Sequence, residues 1–184
     1  AETGKEFEGA MEALGSSINE VSASGANQAS FLVDYMNRMA GVAPQAKLSA
    51  ADNLGYAATF DELGQSVEVT STAMNKVLLD MFKNPGEYAK IAGISIKDFN
   101  KLLNEDSNAA MIKFLEGLNG NSAGLQTMVQ KMEDLDAGGT RGVASLSALA
   151  NNLDILKERQ ATANLSMQEA TSLTNEYNIK NNNL

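Results

Sequence analysis

Cysteine and histidine are absent from this chain, and proline occurs only twice in 184 residues. Without cysteine there is no disulfide framework and no thiolate to bind a metal ion, which fits a reducing compartment. Without histidine the chain lacks the most frequent general base and the most frequent metal ligand. These absences exclude the commonest forms of nucleophilic and metal-assisted catalysis, and they leave carboxylates as the main candidates for acid–base chemistry.

Long apolar runs are missing as well. The longest stretch without a charged residue, 117–130, is interrupted by asparagine, serine and threonine, and it falls short of the roughly 18 apolar residues that span a bilayer. The first residues, AETGKEFEG, are acidic and polar, so no secretory leader is visible. Because the chain begins with alanine and ends in IKNNNL, we expect it to be a segment of a longer protein.

Basic residues are outnumbered by acidic ones, 14 to 23, which gives a formal net charge of −9. An acidic domain is repelled by nucleic-acid phosphates unless its bases cluster. The lysines between positions 76 and 101 are instead spread along helical stretches among carboxylates. The sequence therefore predicts no direct binding of nucleic acid.

Strong helix formers dominate what is present. The hydrophobic fraction is 43% and the charged fraction 20%, as in a folded domain, whereas aromatic residues make up only 5%. Alanine, leucine, methionine, glutamate, lysine and glutamine are plentiful, which favours helix over sheet. The two alternating triplets, 67–69 and 94–96, are too short to indicate strands. An all-α fold is predicted.

Apolar periodicity and stop signals divide the chain into about nine helices. Ser49 with Asp52 and Ser95 with Asp98 predict helix starts, Asn84-Pro85 predicts another, and the glycines at 64 and 93 predict helix ends. The predicted helices lie near residues 2–22, 31–39, 49–64, 66–82, 85–93, 95–103, 107–118, 125–135 and 141–180. We expect residues 1–24 to form an N-terminal helix and 25–184 a core helical domain, unless 1–184 is one continuous domain.

The predicted C-terminal helix over 141–180 carries a heptad path of alternating three- and four-residue steps. Its members are Leu146, Leu149, Leu153, Leu156, Gln160, Ala163, Met167, Ala170, Thr174 and Tyr177. Small and polar residues occupy the second half of this path, which indicates a loosely packed or shared helix. Two interpretations remain open, namely self-association through this helix and docking of the helix on its own bundle.

Carboxylates near Gly64 are the nearest candidates for catalysis. Asp61, Glu62 and Glu68 could in principle serve the two-carboxylate chemistry of glycoside hydrolysis. Their positions at a helix end and in a helix first turn are typical of ordinary capping charges. We therefore assign no catalytic residue.

Two oxygen-rich segments could suggest a cation site. Asp134 and Asp136 with Gly138 resemble the start of an EF-hand loop, but Ser145 occupies the position that requires a bidentate glutamate. The segment 104–108 more naturally forms a helix break and a new cap. The glycine-rich segment 138–142 lacks the lysine of a phosphate-binding loop. No metal-binding or cofactor-binding residue is predicted.

Methionine is unusually frequent, with nine residues. Seven of them fall on apolar helical faces: Met36, Met39, Met74, Met81, Met111, Met128 and Met132. Flexible thioethers either fill irregular gaps in a core or line an adaptable groove for a partner helix. The core interpretation is the more usual one.

Several segments, in order and at a consistent spacing, resemble the core region of phage tail tape measure proteins. They are AGVA (40–43) through LSA (48–50), LGQSVE (63–68), LLNEDSNAAMIKFLEGL (102–118), LSALANNLDILKE (146–158) and LTNEYNIKNNNL (173–184). The resemblance covers roughly residue 25 to the end. The first 25 residues carry less of it.

This resemblance implies a phage or prophage protein whose long helical parent lies in the lumen of the tail tube and sets tail length. It implies the tail tube, tail assembly chaperones and tail tip proteins as partners, and the bacterial host cytoplasm as the place of assembly. It implies no enzyme activity and no cofactor. At about 1.5 Å per helical residue, the whole segment would reach only about 280 Å, and its frequent turns predict that it folds back. The segment is therefore expected to be a compact module of the ruler.

Two other classes of function remain open. A helical protein-interaction or chaperone-like adaptor would bind a partner helix through a methionine-lined groove. A cell-wall hydrolase would need clustered carboxylates in a cleft.

Overall fold

The computed structural model describes residues 2–120 and 122–182 of the chain, with side chains for residues 8–120 and 122–170. These residues form ten α-helices and no β-strand, which confirms the predicted all-α fold. The helices are α1 (Glu2–Ser24), α2 (Ala29–Met39), α3 (Ala50–Glu62), α4 (Val67–Lys83), α5 (Pro85–Ala92), α6 (Ile96–Glu105), α7 (Ser107–Gly120), α8 (Ser122–Asp134), α9 (Gly139–Ala150) and α10 (Leu153–Asn182).

The tenth helix arises because the predicted helix over 141–180 is interrupted at Asn151 and Asn152. The side-chain amide of Asn152 donates to the carbonyl of Ala148 (2.8 Å), and the backbone N–H of Asn152 donates to Leu149 (3.0 Å). The carbonyl of Asn152 then accepts the first hydrogen bond of α10, from Leu156 (3.2 Å). Asparagine competes with the helix through such local bonds. The long C-terminal helix is present, but it begins at Leu153.

At two predicted helix starts a serine side chain forms the expected cap hydrogen bond, and at two other helix starts the N-cap side chain forms none. The hydroxyls of Ser49 and Ser95 accept the backbone N–H three residues later, at 3.0 and 3.1 Å. Ser66 and Asn84 occupy N-cap positions without a side-chain cap bond. The Asn84 side chain turns instead to Asp80 (2.7 Å).

Four turns close with the same pair of hydrogen bonds, the Schellman arrangement. Three of them end α3, α5 and α8, and the fourth lies between α2 and α3. In each, one residue has a positive φ and the next residue donates its N–H five residues back. The positive-φ residues are Lys47 (57°), Gly64 (64°), Gly93 (70°) and Asp136 (50°). Glycine adopts this conformation without steric cost, whereas lysine and aspartate do not.

Helix α3 occupies the centre of the bundle. Every residue from Asn53 to Phe60 is buried, because neighbouring helices cover it on several sides. The Phe60 ring lies 5.9 Å from the ring of Tyr35 in α2, measured between centroids. One continuous cluster of buried apolar side chains extends from Val21 to Ala163.

The apolar spacing within their helices predicts that Phe82 and Ile96 face inward, but the structure exposes both. Ile96 is 54% exposed and Phe82 is 38% exposed, so the prediction was wrong for both. Helix α6 buries Phe99 and Leu103 fully, and its first turn projects past the bundle edge beside Gly86. Periodicity identifies the inward face of a helix, but it does not show where the neighbouring helix ends.

Helix α10 packs along α3 and α1. It runs antiparallel to α3, because Arg159 contacts Glu62 at the end of α3 and Asn164 contacts Asp52 near its start. The described part of the heptad path faces this interface, with Leu156, Gln160 and Ala163 buried and Leu153, Met167 and Ala170 partly buried. Thr174 and Tyr177 lie outside the residues whose side chains are described. Over the described residues, α10 docks on its own bundle.

Over the same residues, no helix combines the length and the apolar character needed to cross a membrane.

The turn at Lys47 provides a test of this backbone analysis. We expect Lys47→Gly to raise the free energy of unfolding by about 0.5–1 kcal/mol, because relief of the positive φ outweighs loss of the exposed bond from Lys47 Nζ to the Asn104 carbonyl (3.3 Å). As the matched control, Gly64→Ala should lower it by about 1 kcal/mol, since no atom lies within 4 Å of the added Cβ and only the backbone is affected. Urea unfolding measures both changes. Equal free energies of unfolding for both variants and the wild type would contradict the positive φ assigned to residues 47 and 64.

Candidate functional site

An ionised cluster lies at the junction of α4, α5 and α8. The Asp80 carboxylate accepts hydrogen bonds from Lys131 Nζ (2.8 Å), Tyr88 Oη (2.8 Å) and Asn84 Nδ2 (2.7 Å). Lys131 also contacts the carboxylate of Glu87, and its Nζ lies 5.2 Å from the Tyr88 ring centroid. The side chains of Asp80 and Lys131 are 5% and 11% exposed. This cluster joins three helices and leaves no free acid for catalysis.

Burial and hydrogen bonding act in opposite directions on this cluster. Burial alone raises the pKa of Asp80, but the hydrogen bonds from Lys131, Asn84 and Tyr88 outweigh it, and the pKa is lowered. Burial lowers the pKa of Lys131, but its bonds to Asp80 and Glu87 outweigh it, and the pKa is raised. Both groups therefore stay charged near neutral pH. The pKa of Tyr88 is raised, first by burial and then by its bond to Asp80.

A second cluster consists of side-chain amides between α3, α7 and α10. Gln160 and Asn108 form a reciprocal pair, in which Gln160 Nε2 donates to Asn108 Oδ1 (2.9 Å) and Asn108 Nδ2 donates to Gln160 Oε1 (3.1 Å). Tyr56 donates to the same Asn108 oxygen (2.7 Å), and burial raises the pKa of this phenol. Gln160 Nε2 also lies 3.3 Å from the carbonyl of Asp52. These groups satisfy one another inside the bundle.

A third cluster ties α10 to the end of α3. Arg159 donates to both carboxylate oxygens of Glu62, from Nε (2.5 Å) and from Nη2 (3.4 Å). Asn27, in the turn between α1 and α2, donates to the same carboxylate (2.9 Å). The Arg159 and Glu62 side chains are only 11% and 13% exposed. A two-point guanidinium–carboxylate contact fixes orientation as well as distance.

The three carboxylates considered for catalysis each contact a different partner. Glu62 pairs with Arg159, and Asp61 accepts the backbone N–H of Gln28 at the start of α2 (2.5 Å). Glu68 lies 3.7 Å from Arg38 on the surface. The structure does not assemble them into a common site.

The turn that resembles an EF-hand start is closed by a lysine. Lys76 Nζ donates to the carbonyls of Leu135 (2.6 Å) and Asp136 (2.5 Å), and the carboxylate of Asp134 accepts from Gln130 (3.0 Å). The ammonium group therefore occupies the carbonyl end of α8, where a positive charge is favoured. Among the described residues, no group of three acidic side chains is arranged to hold a metal ion.

The segment 104–108 acts as a helix break and a cap, as predicted. Asp106 ends α6, and its carboxylate accepts the backbone N–H of Ala109 in the first turn of α7 (2.9 Å). Asn108 joins the amide cluster, and the backbone carbonyl of Asn104 accepts from Lys47 (3.3 Å). Within the glycine-rich segment, Gly138 and Gly139 have positive φ and open α9.

The methionines belong to the core. Of the seven on predicted apolar faces, six are fully buried, and Met36 is partly buried against the same core. The buried six are Met39, Met74, Met81, Met111, Met128 and Met132. These side chains leave no methionine-lined groove open among the described residues.

The openings on the described surface include the following two. One, of about 280 Å³, is lined by Gly64, Gln65, Ser66, Val69, Arg141, Ala144 and Ser145. The other, of about 80 Å³, is lined by Lys90, Ile91, Ala123, Gly124 and Thr127. Neither opening is lined by a carboxylate, so neither has the residues for acid–base hydrolysis.

The sequence analysis did not identify Asp80, Lys131 and Arg159 as interior residues. For Asp80 and Lys131 the sequence does contain a signal. Asp80 follows the inward-facing Val77 by three positions, and Lys131 follows Met128 by three. Opposite charges on the apolar faces of two helices indicate a buried ion pair. The signal does not say which two helices meet, and this is why the pair could not be assigned in advance.

The fold is an all-α helical module whose interior charges join its helices. Its sequence matches the family model described as phage-related minor tail protein over residues 2–137. No significant match was found among curated proteins. None was found among solved structures either.

The match covers more than half of the chain, and the chain therefore belongs to the phage-related minor tail protein family. It is a structural phage tail protein. The match includes the first 25 residues, which carry little of the resemblance described above, and it ends before α9 and α10.

The buried pair can be tested with a double-mutant cycle. We expect Asp80→Leu and Lys131→Met each to lower the free energy of unfolding by about 3 kcal/mol, because each leaves a largely buried charge without its buried partner, and Lys131 then keeps only the half-exposed Glu87. The double variant should lose clearly less than the sum. Arg38→Met, which removes a half-exposed pair with Asp34, should cost less than about 1 kcal/mol. Strict additivity in urea unfolding would show that the two groups do not interact.

The same pair predicts a pH dependence. The lowered pKa of Asp80 means that its contribution is present above the unfolded value of about 3.9 and is lost as the pH falls through the folded value. The raised pKa of Lys131 means that its contribution is present below about 10.4 and is lost as the pH rises through the folded value. The stability difference between wild type and the double variant should be constant from about pH 5 to 9 and change outside this window. Urea unfolding of both proteins at a series of pH values measures this difference. A change centred near neutral pH would contradict the directions of the two pKa shifts.

Proposed function

We propose that this chain is a compact module of a tail tape measure protein, the component that sets tail length and scaffolds assembly of the tail tube. The observation that carries the proposal is the family membership over residues 2–137. The ordered set of segments that resemble tape measure proteins supports it further. The family match gives a phage tail protein, and the length-setting role is what this proposal adds to it.

The dimensions of the module indicate how it serves such a protein. Its longest helix, α10, has 30 residues and therefore spans about 45 Å. The other helices fold back on one another, with α1, α2, α4 and α9 against α3 and with α5 to α8 packed beside them. Distance along the tail is therefore measured by other parts of the parent chain, and this module provides a folded body at one place on the ruler.

The proposed partners follow from this role. They are the tail tube, tail assembly chaperones and tail tip proteins, met in the host cytoplasm during assembly and in the tail lumen afterwards. We propose that the module catalyses no reaction and binds no nucleic acid directly, in keeping with its net charge of −9. We also propose that residues 1–184 act as one continuous domain, since α1 packs along α10.

No observation favours either of the two alternative classes of function, the adaptor or the cell-wall hydrolase. An adaptor of the kind considered above would need a methionine-lined groove, and the seven methionines on the predicted apolar faces pack in or against the core. A wall hydrolase would need adjacent free carboxylates, and Asp61, Glu62 and Glu68 are engaged with separate partners.

Electron microscopy of tails tests the length-setting role. In the parent gene, an in-frame deletion of predicted helical sequence outside this module should shorten the tail by about 1.5 Å for each residue removed. The matched control replaces the same segment with an unrelated helical sequence of equal length, and it should keep the tail length. Unchanged length after the deletion, in tails that still assemble, would refute the assignment.

A further inference from the structure

The interface between α10 and α3 is formed largely by polar and small side chains. The stripe of α3 that faces α10 consists of Asp52, Gly55, Thr59 and Glu62, which recur at helical spacing. From α10 it receives Arg159, Gln160 and Asn164. Leu156 and Ala163 add buried apolar surface. Polar groups recover hydrogen bonds from water when they separate, so parting this interface costs less than parting an apolar one of equal area.

The sequence between α9 and α10 is compatible with one continuous helix as well as with the observed break at Asn151 and Asn152. No proline or glycine occurs after Gly142, and the heptad path passes through the break in phase, from Leu149 to Leu153 to Leu156. The break depends on Asn152, whose side-chain amide donates to the carbonyl of Ala148 and whose backbone N–H donates to Leu149, three residues back. The backbone N–H of Asn151 keeps its helical bond to Ser147. If these two residues became helical, α9 and α10 would form one helix from 139 to 182, about 65 Å long.

The α3 side of this interface nevertheless fits α10 specifically and in one register. A Cβ atom on Gly55 would lie 2.9 Å from the backbone N and Cα of Gln160, so only glycine permits this approach. The amide pair of Gln160 with Asn108 and the two-point contact of Arg159 with Glu62 each require one register. The surface that α10 fits best is therefore this stripe, in its own chain or in another copy.

We propose that α10 exchanges between two copies of this chain. In the exchanged dimer, α9 and α10 are one continuous helix, and α10 docks on α3 and α1 of the second copy. Every contact of the interface re-forms between the copies, including the bond from the Ser17 hydroxyl to the carbonyl of Ala163 (3.2 Å). On exchange, the local hydrogen bonds at the break between α9 and α10 are lost, and helical backbone hydrogen bonds form in their place. The proposal stands independently of the length-setting role.

The absence of cysteine makes the exchange directly measurable. Asp52 Oδ1 and Asn164 Nδ2 lie 3.4 Å apart across the interface. One purified chain carries Asp52→Cys, and a second, with a size tag, carries Asn164→Cys. The two are mixed, incubated at high concentration and treated with a short thiol-specific cross-linker. A covalent mixed dimer forms when α10 of one chain lies on α3 of the other. Leu79→Cys, on the exposed face of α4, replaces Asp52→Cys as the control for random collision.

Hinge variants decide whether the mixed dimer arises by straightening. The pairs Asn151→Ala with Asn152→Ala and Asn151→Gly with Asn152→Gly both remove the asparagine side chains, but alanine favours the continuous helix and glycine disfavours it. We expect the yield of mixed dimer to be highest with alanine and at least roughly tenfold lower with glycine, with the native hinge between them. Circular dichroism confirms that each variant is folded.

The proposal is overturned if the yield is the same in all three hinge backgrounds, zero included. It is equally overturned if the Leu79→Cys control gives as much mixed dimer as Asp52→Cys. A third chain that carries both Asp52→Cys and Asn164→Cys gives a further check. If it elutes as a dimer from a sizing column but cross-links only within one chain, it associates through another surface and the exchange is refuted.

Discussion

The close approach of two helix backbones, at Gly55 in α3 and Gln160 in α10, constrains much of the remaining architecture. With no Cβ at position 55, α10 settles against the central helix and its register is fixed. Gln160 then meets Asn108 of α7, and Arg159 meets Glu62. The family match ends at residue 137. Helix α10, which follows it, therefore covers one side of a helix that the matched region contains.

Ionised residues inside this bundle identify which helices belong together. The pair of Asp80 and Lys131 joins α4 to α8, and the pair of Arg159 and Glu62 joins α10 to α3. A buried charge without its partner is costly, so arrangements that separate these pairs are penalised. This use of charge suits a tail protein whose task is to hold a shape.

Local features of the fold were predictable because their causes lie within a few residues. The cap at Ser49, the helix end at Gly64 and the restart at Pro85 depend on hydrogen bonds and backbone angles of adjacent residues. The break at Asn151 was not predicted, since heptad periodicity continues across it. The exposure of Ile96 was not predicted either, because it depends on where α6 passes the edge of the bundle.

The sequence by itself determined the helical class, most helix ends and the absence of histidine and cysteine chemistry, because composition and local hydrogen bonding suffice for these. The tertiary structure alone decided that Asp80 faces Lys131, that Glu62 is engaged by Arg159 and that Lys76 closes the turn at Asp136. Each of these contacts joins residues 51 to 97 positions apart. Their pairing depends on how the helices pack in space, which the periodicity of any single helix does not contain.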